Sequence, residues 1–240
     1  MREIAPNIYV STEYAGVNVG LFVAPAGAIA IDVPTLPWDA RAWREQILEI
    51  AEGPIMYVIL TDVHPDRLLS AGLMGPPIVA AWPAYERASE YTDGFWRGVL
   101  ESWNRRLAEG SEELTREFVV LPEIMFTERL RLQKGGADLK VKHIAGSTPE
   151  SAWVRFREQR VLFVGDTLVV GQHPFLDAAS DTKGWLNTLT DLRRPRFAKT
   201  TIVPGRGPIC DQSDTRPLSD YIALVRRRAR SLLRGDCTRS

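Results

Sequence analysis

Cysteine is almost missing from this chain: Cys210 and Cys237 are the only two in 240 residues, and neither lies in a Cys-x-x-Cys or Cys/His cluster. That excludes a disulfide framework and makes the cytoplasm the expected compartment. Lysine is scarce as well (Lys134, Lys140, Lys142, Lys183 and Lys199), so arginine supplies most of the positive charge. No uncharged apolar run approaches the roughly 18 residues needed to span a bilayer. The opening Met1-Arg2-Glu3-Ile4-Ala5-Pro6-Asn7 lacks the apolar core of a signal peptide. Neither sign of charge is in excess, with 30 Lys plus Arg against 30 Asp plus Glu. A strongly basic nucleic-acid binder and an acidic disordered tail are therefore disfavoured, and neither nucleic acid nor membrane is an expected partner. The length suffices to bury a core without metal or disulfide support, and it leaves the oligomeric state open.

What is present alternates between strand-like and helix-like segments. Residues 17–23 and 28–33 are β-compatible and meet at Pro25-Ala26-Gly27, the pattern of a hairpin. Trp43, Ile47 and Ile50 set a helical period over 38–51, which Gly53-Pro54 stops before a buried strand at 55–60. Pro65 opens another helix, and 78–81 reads as a strand. Residues 83–118 form a helical insertion rich in Tyr85, Tyr91, Phe95, Trp96 and Trp103, with breaks near Gly94 and Gly110. Its stripe of Phe95, Val99 and Trp103 is expected to dock the insertion on the sheet, with a lid over a cavity as the alternative. Short strands follow at 129–133, 139–144, 151–157 and 161–164. A helix at 183–192, a strand at 201–203 and a basic helix at 218–233 complete the chain. Two half-sheets with interleaved helices predict one layered α/β domain over 1–240.

Four strand-end loops carry the polar residues: Thr61-Asp62-Val63-His64-Pro65-Asp66-Arg67, Ala145-Gly146-Ser147-Thr148-Pro149-Glu150-Ser151, Phe163-Val164-Gly165-Asp166-Thr167-Leu168 and Pro204-Gly205-Arg206-Gly207. Strand ends are where α/β proteins place ligands. In order, spacing and surroundings these loops resemble the motifs of the metallo-β-lactamase superfamily, over essentially the whole chain. The resemblance implies a four-layer αββα sandwich.

The same resemblance implies a pair of metal ions held largely by histidines, and here the chain departs from the pattern. The first-motif histidines fall on Asp62, His64 and Arg67, the next on Ser147 and the last on Arg206, so only His64 survives; Asp66 and Asp166 remain. Arginine is cationic and offers no lone pair to a metal. Arg67 and Arg206 are expected to point into the cavity and to neutralise the aspartates that a metal would otherwise balance. The expected protein is thus a degenerate member without the dinuclear centre or any cofactor. It binds a small anionic or polar ligand through Arg67 and Arg206, or is catalytically silent. The alternative is a hydrolase of thioesters, lactones or phosphoesters that uses one Zn, Mn or Fe ion at Asp62, His64 and Asp166. Whether the chain is an enzyme stays open at this point.

The expected ligand pocket is therefore Asp62, His64, Asp66, Arg67, Ser147, Asp166 and Arg206. Asp32 is expected to support it from behind. His143 and His173 are read as loop or surface residues, and Ser147 as a hydrogen-bonded loop serine rather than a nucleophile, since no Gly-x-Ser-x-Gly elbow surrounds it. The run Arg226-Arg227-Arg228-Ala229-Arg230 reads as a solvated helix face.

Overall fold

A computed structural model of the protein describes residues 1–107, 114–176 and 179–236. Strands β1 (Arg2–Ala5), β2 (Ile8–Ser11), β3 (Val19–Ala24) and β4 (Gly27–Ile31) form an antiparallel meander. Helix α1 (Pro37–Ile50) then crosses back, and β5 (Ile55–Ile59) pairs parallel with β4. Short α2 (Pro65–Leu68) precedes β6 (Ile78–Ala81); α3 (Trp82–Ser89) and α4 (Asp93–Asn104) precede β7 (Ile124–Phe126). The seven strands lie in chain order in one sheet. The second sheet runs β12-β11-β10-β9-β8, from β8 (Arg129–Lys134), β9 (Ala137–His143), β10 (Ala152–Phe156), β11 (Val161–Val169) and β12 (Thr201–Arg206). Helix α5 (Thr182–Leu192) connects the parallel pair β11 and β12, and α6 (Thr215–Asp236) ends the described chain. Among the described residues no helix is long and apolar enough to cross a membrane.

The period-2 geometry of strands explains the layering. In β4, Ala28 and Ala30 face outward to Trp43 and Ile47 of α1, whereas Ile29 and Ile31 face inward to Phe156, Phe163 and Val203 of the other sheet. On the far side, Trp153 and Leu162 meet Trp185, Leu189 and Leu192 of α5 and Leu218 and Ile222 of α6. Three apolar seams thus hold four layers, helix–sheet–sheet–helix, the order that the resemblance implies. Leucines on α6 beyond the seam, Leu224, Leu232 and Leu233, are exposed beside the arginine run.

Three local differences from the sequence reading have physical causes. The first break expected in the insertion falls between α3 and α4, just before Gly94, which sits in the first turn of α4, capped by Thr92 accepting the Phe95 amide at 3.2 Å; the break expected near Gly110 lies outside the described residues. Strand β11 continues past 164 to Val169 because Gly165, at φ +53°, lets the chain bulge and resume pairing with β12. The hairpin β1–β2 and the edge strand β7 are too short to show a clear period in the sequence.

Candidate functional site

Asp32 and Asp62 follow strands of the first sheet, Asp166 lies past the Gly165 bulge within β11 and Arg206 ends β12, and the αββα stacking brings them to one edge. Asp32 stands just past β4 in the left-handed region, at φ +57°, a conformation that aspartate tolerates better than most residues. Its carboxylate accepts hydrogen bonds from the Thr61 amide (2.8 Å) and hydroxyl (2.7 Å), tying β4 to the loop after β5. In that loop Asp62 Oδ1 accepts the His64 amide at 2.9 Å, and His64 caps α2 by accepting the Asp66 amide on Nδ1 at 3.4 Å. The cap orients a one-turn helix so that Arg67 points back beneath the loop.

Arg67 has no exposed surface. Its Nη1 donates to Asp62 Oδ1 at 3.1 Å and its Nη2 to Asp166 Oδ1 at 2.9 Å. Its Nε lies 3.1 Å from Asp32 Oδ2, an ionic contact whose angle is too poor for a hydrogen bond. One guanidinium therefore joins three buried aspartates from the ends of β4 and β5 and from β11. Above it, Arg206 donates from Nε and Nη2 to Asp166 Oδ2, both at 3.2 Å, and from Nη2 to Asp66 Oδ2 at 3.0 Å. Asp66 Oδ1 accepts the indole N–H of Trp103 at 2.9 Å. Asn18 fixes the turn that presents Arg206: its side-chain amide donates to the carbonyls of Pro204 (2.9 Å) and Gly207 (2.8 Å). Gly205 is demanded here, because a Cβ would stand 2.1 Å from Asp166 Oδ1.

Proton affinities follow from this arrangement. Burial raises the carboxyls and the ion pairs lower them, and the winner differs from residue to residue. Burial pushes Asp32 up to about 6 despite Arg67, with Asp62 adding repulsion. At Asp66 burial is outweighed by His64, Arg206 and Trp103, which hold the carboxyl down at about 2. Asp166 is likewise buried, yet Arg67 and Arg206 together hold it well below the ordinary carboxylate range. Arg67 is driven above its usual value, since attraction to Asp166, Asp62 and Asp32 exceeds the effect of burial.

The structure brings all seven residues of the expected pocket to this edge but divides them between two levels. His64, Asp66 and Arg206 line an open cavity of about 730 Å³. Asp62, Arg67, Ser147 and Asp166 lie beneath it and do not form its wall. The expectation that Arg67 meets a ligand is therefore corrected: its N–H groups are turned to the three aspartates. The Ser147 hydroxyl is buried without a hydrogen-bond partner among the described residues, against the expected bonded loop serine; it is the Ser147 carbonyl that accepts, from Ser180.

The sequence reading gave one side of the cavity wall only as the lid alternative and missed the other. Tyr91, Phe95, Val99 and Trp103 line one side, as the lid alternative expects, and Tyr91, Val99 and Trp103 also pack against the first sheet's core. His173 and Phe175 line the other, with Phe175 edge-on to the His64 ring at 5.0 Å. His173 thus contributes to the cavity, whereas His143 is a loop staple, within 2.7 Å of the Pro149 carbonyl and 3.2 Å of that of Thr127. Glu150, 3% exposed, also lines the cavity; burial and the Asp62 charge push its carboxyl up to about 7, against the opposing pull of Arg87 and Thr148. Its place in the Ser147 loop was the available signal, but one carboxylate in a polar loop does not announce its own burial.

The metal pair implied by the family motifs does not fit this donor set. Asp62, Asp66 and Asp166 each spend carboxylate oxygens on a guanidinium. His64 Nδ1 faces the Asp66 amide. Among the described residues no three His, Cys, Asp or Glu side chains gather so as to hold an ion, and Asp62, His64 and Asp166 form no such set.

Comparison with known proteins agrees with the architecture. The sequence model of the Metallo-beta-lactamase superfamily matches residues 16–206. A metallo-beta-lactamase from Pontibacter korlensis superposes with a TM-score of 0.69 at 21% identity, covering 92% of this chain and 97% of the other. A metallo-beta-lactamase family protein from Thermus thermophilus gives a TM-score of 0.68 at 23% identity, over 91% and 80% of the two chains. The stereoselective inverting sec-alkylsulfatase Pisa1 from Pseudomonas sp. gives 0.74 at 16% identity; it covers 97% of this chain, which spans 43% of the sulfatase. These likenesses are of fold. No curated protein matches the sequence.

Proposed function

Because the chain belongs to the metallo-beta-lactamase superfamily, we propose that it is a member in which guanidinium charge stands in for the metal pair, and that it binds a small ligand with an anionic or polar group and an apolar body. The observation that carries this reading is the burial of Arg67 among Asp32, Asp62 and Asp166. A divalent ion placed beside that guanidinium would meet strong repulsion in a low-dielectric interior, and its carboxylate ligands would have to abandon existing ion pairs. No hydrolytic step through a metal-bound hydroxide is assigned to this site.

The ligand class follows from the cavity. Tyr91, Phe95, Trp103 and Phe175 offer an apolar wall, and Arg87, Arg106 and Arg206 offer positive charge, against Asp66 and Glu150. Arg206 is 18% exposed at its side chain, so it alone of the two central arginines reaches a ligand. A suitable probe is anilinonaphthalene sulfonate, which joins an aromatic body to one anionic group. Saturable fluorescence enhancement is expected, weakened about tenfold, or about 1.4 kcal/mol, by Arg206→Gln. Phe95→Ala, which leaves the ion pairs intact, should weaken it similarly while circular dichroism stays unchanged. Enhancement indifferent to both substitutions would remove the cavity from consideration as a binding site. Metal-dependent turnover of esters or thioesters abolished by His64→Ala would replace this reading by a hydrolytic one.

A further inference from the structure

A second cavity, of about 490 Å³, lies on the outer face of the second sheet, away from the Arg67 cluster. The strand register dictates its character. Arg129 stands opposite Lys142 across β8 and β9, and Arg131 opposite Lys140. Lys140 in turn stands opposite Arg155 across β9 and β10. Like charges at directly opposed positions destabilise a sheet, so three such pairs side by side are an unfavourable arrangement for folding alone. Arg196, from the turn after α5, adds a sixth cation to the rim.

These charges are close. Strands lie about 4.8 Å apart and same-face residues about 7 Å apart along each strand, so the cations occupy a patch on the order of 10 Å wide. That is near the Debye length of about 8 Å at physiological ionic strength, and salt leaves much of their mutual repulsion in place. Among the described residues two carboxylates pair with this cluster. Asp138 is taken by Arg131 at 2.9 and 2.8 Å, and Asp191 by Arg194 and Arg196. Arg129, Lys140, Lys142 and Arg155 have no ion pair among the described residues. In a chain of zero net charge this is a local concentration rather than a general excess.

The patch is also structured. Arg155 and Arg196 both sit over the Phe197 ring, each 5.0 Å from its centroid, and Phe197 meets Trp153 edge-on at 6.0 Å. Partial burial together with the charges of Arg157 and Arg196 lowers the proton affinity of Arg155, which records the crowding. Both aromatic rings are nearly covered, Trp153 at 4% and Phe197 at 3% exposure. They brace the cations and offer no open face on which a base could stack, as single-stranded nucleic acid binding requires. We propose that this groove binds a short phosphate chain, free or as the polyphosphate part of a small molecule, through Arg129, Lys140, Lys142 and Arg155.

Calorimetric titration of the intact protein with inorganic triphosphate, and in parallel with ATP, tests this. Binding of both with similar affinity, falling as salt is raised, is the expected result. Lys140→Glu should weaken both about tenfold, and so should Arg129→Glu; both residues are exposed and outside the apolar seams. Arg106→Glu, in the other cavity, should leave triphosphate binding unchanged. No binding of triphosphate, binding of ATP alone, or loss of binding with Arg106→Glu but not with Lys140→Glu would overturn the proposal. Tighter binding of a single-stranded oligonucleotide than of triphosphate would overturn it too.

Discussion

Replacing Arg67 by methionine is expected to destabilise the protein by about 3–5 kcal/mol at pH 7, the usual cost of removing one partner from a buried ionic cluster. Methionine fills much of the volume, so the loss is electrostatic rather than a cavity effect. Asp32 and Asp62, each at most 3% exposed, would be left without the cation that balances them, and the buried Asp166 would keep Arg206 alone. For a chain of this size each kcal/mol moves the melting temperature by about 2–4 °C, so a fall of roughly 6–20 °C is expected. The pH dependence identifies the cause. Asp166 is held below its ordinary value by Arg67 and Arg206 despite burial, so its ion pairs contribute stability above the unfolded carboxylate range, and that contribution is lost as pH falls through the lower folded value. Urea unfolding should therefore show wild type and variant converging as pH drops below about 4. Equal stabilities at pH 7 would mean that the three aspartates do not depend on Arg67.

Glu150→Gln is expected to act in the opposite direction. Burial and the Asp62 charge raise the Glu150 carboxyl from 4.5 to about 7. A carboxyl whose folded value is raised contributes stability below its unfolded value, and loses it as pH climbs through the folded one. Between the unfolded value of 4.5 and the folded value of about 7, wild type should thus forfeit stability that the neutral glutamine keeps. At about 1.4 kcal/mol per unit, the variant should be more stable by about 3–4 kcal/mol at about pH 8 and indistinguishable at about pH 4. Asp32, raised to about 6, titrates in the same window but is present in both proteins and drops out of the difference. A difference that does not change with pH would show that Glu150 ionises freely in the folded state.

A layered α/β domain was legible from period-2 and helical patterns long enough to count, such as Ile55–Ile59 with its flanking Gly53-Pro54 and the Trp43–Ile47 stripe of α1, whereas the αββα order came from the resemblance of the four motifs. The polar edge was legible because four polar motifs occur in a fixed order, although two of those read as strand-end loops, at Asp166 and Arg206, lie within β11 and β12 themselves. What escaped was depth. Sequence spacing puts Arg67 and Arg206 near one another but does not tell that a one-turn helix capped by His64 drives Arg67 under the loop while the Asn18-braced turn holds Arg206 above it. The same limit hid Glu150, whose environment is set by Tyr91 and Arg87 from a distant stretch of the chain, and it hid the basic groove, which exists only once β8, β9 and β10 are paired in register.

The character of the site turns on whether guanidinium groups have taken the room of a metal pair. The most direct measurement is isothermal titration of the purified, chelator-treated protein with zinc and with manganese, followed by metal analysis after desalting. The expected result is no stoichiometric retention of either ion. Retention of two equivalents per chain, with spectroscopic signs of His64 coordination, would contradict it.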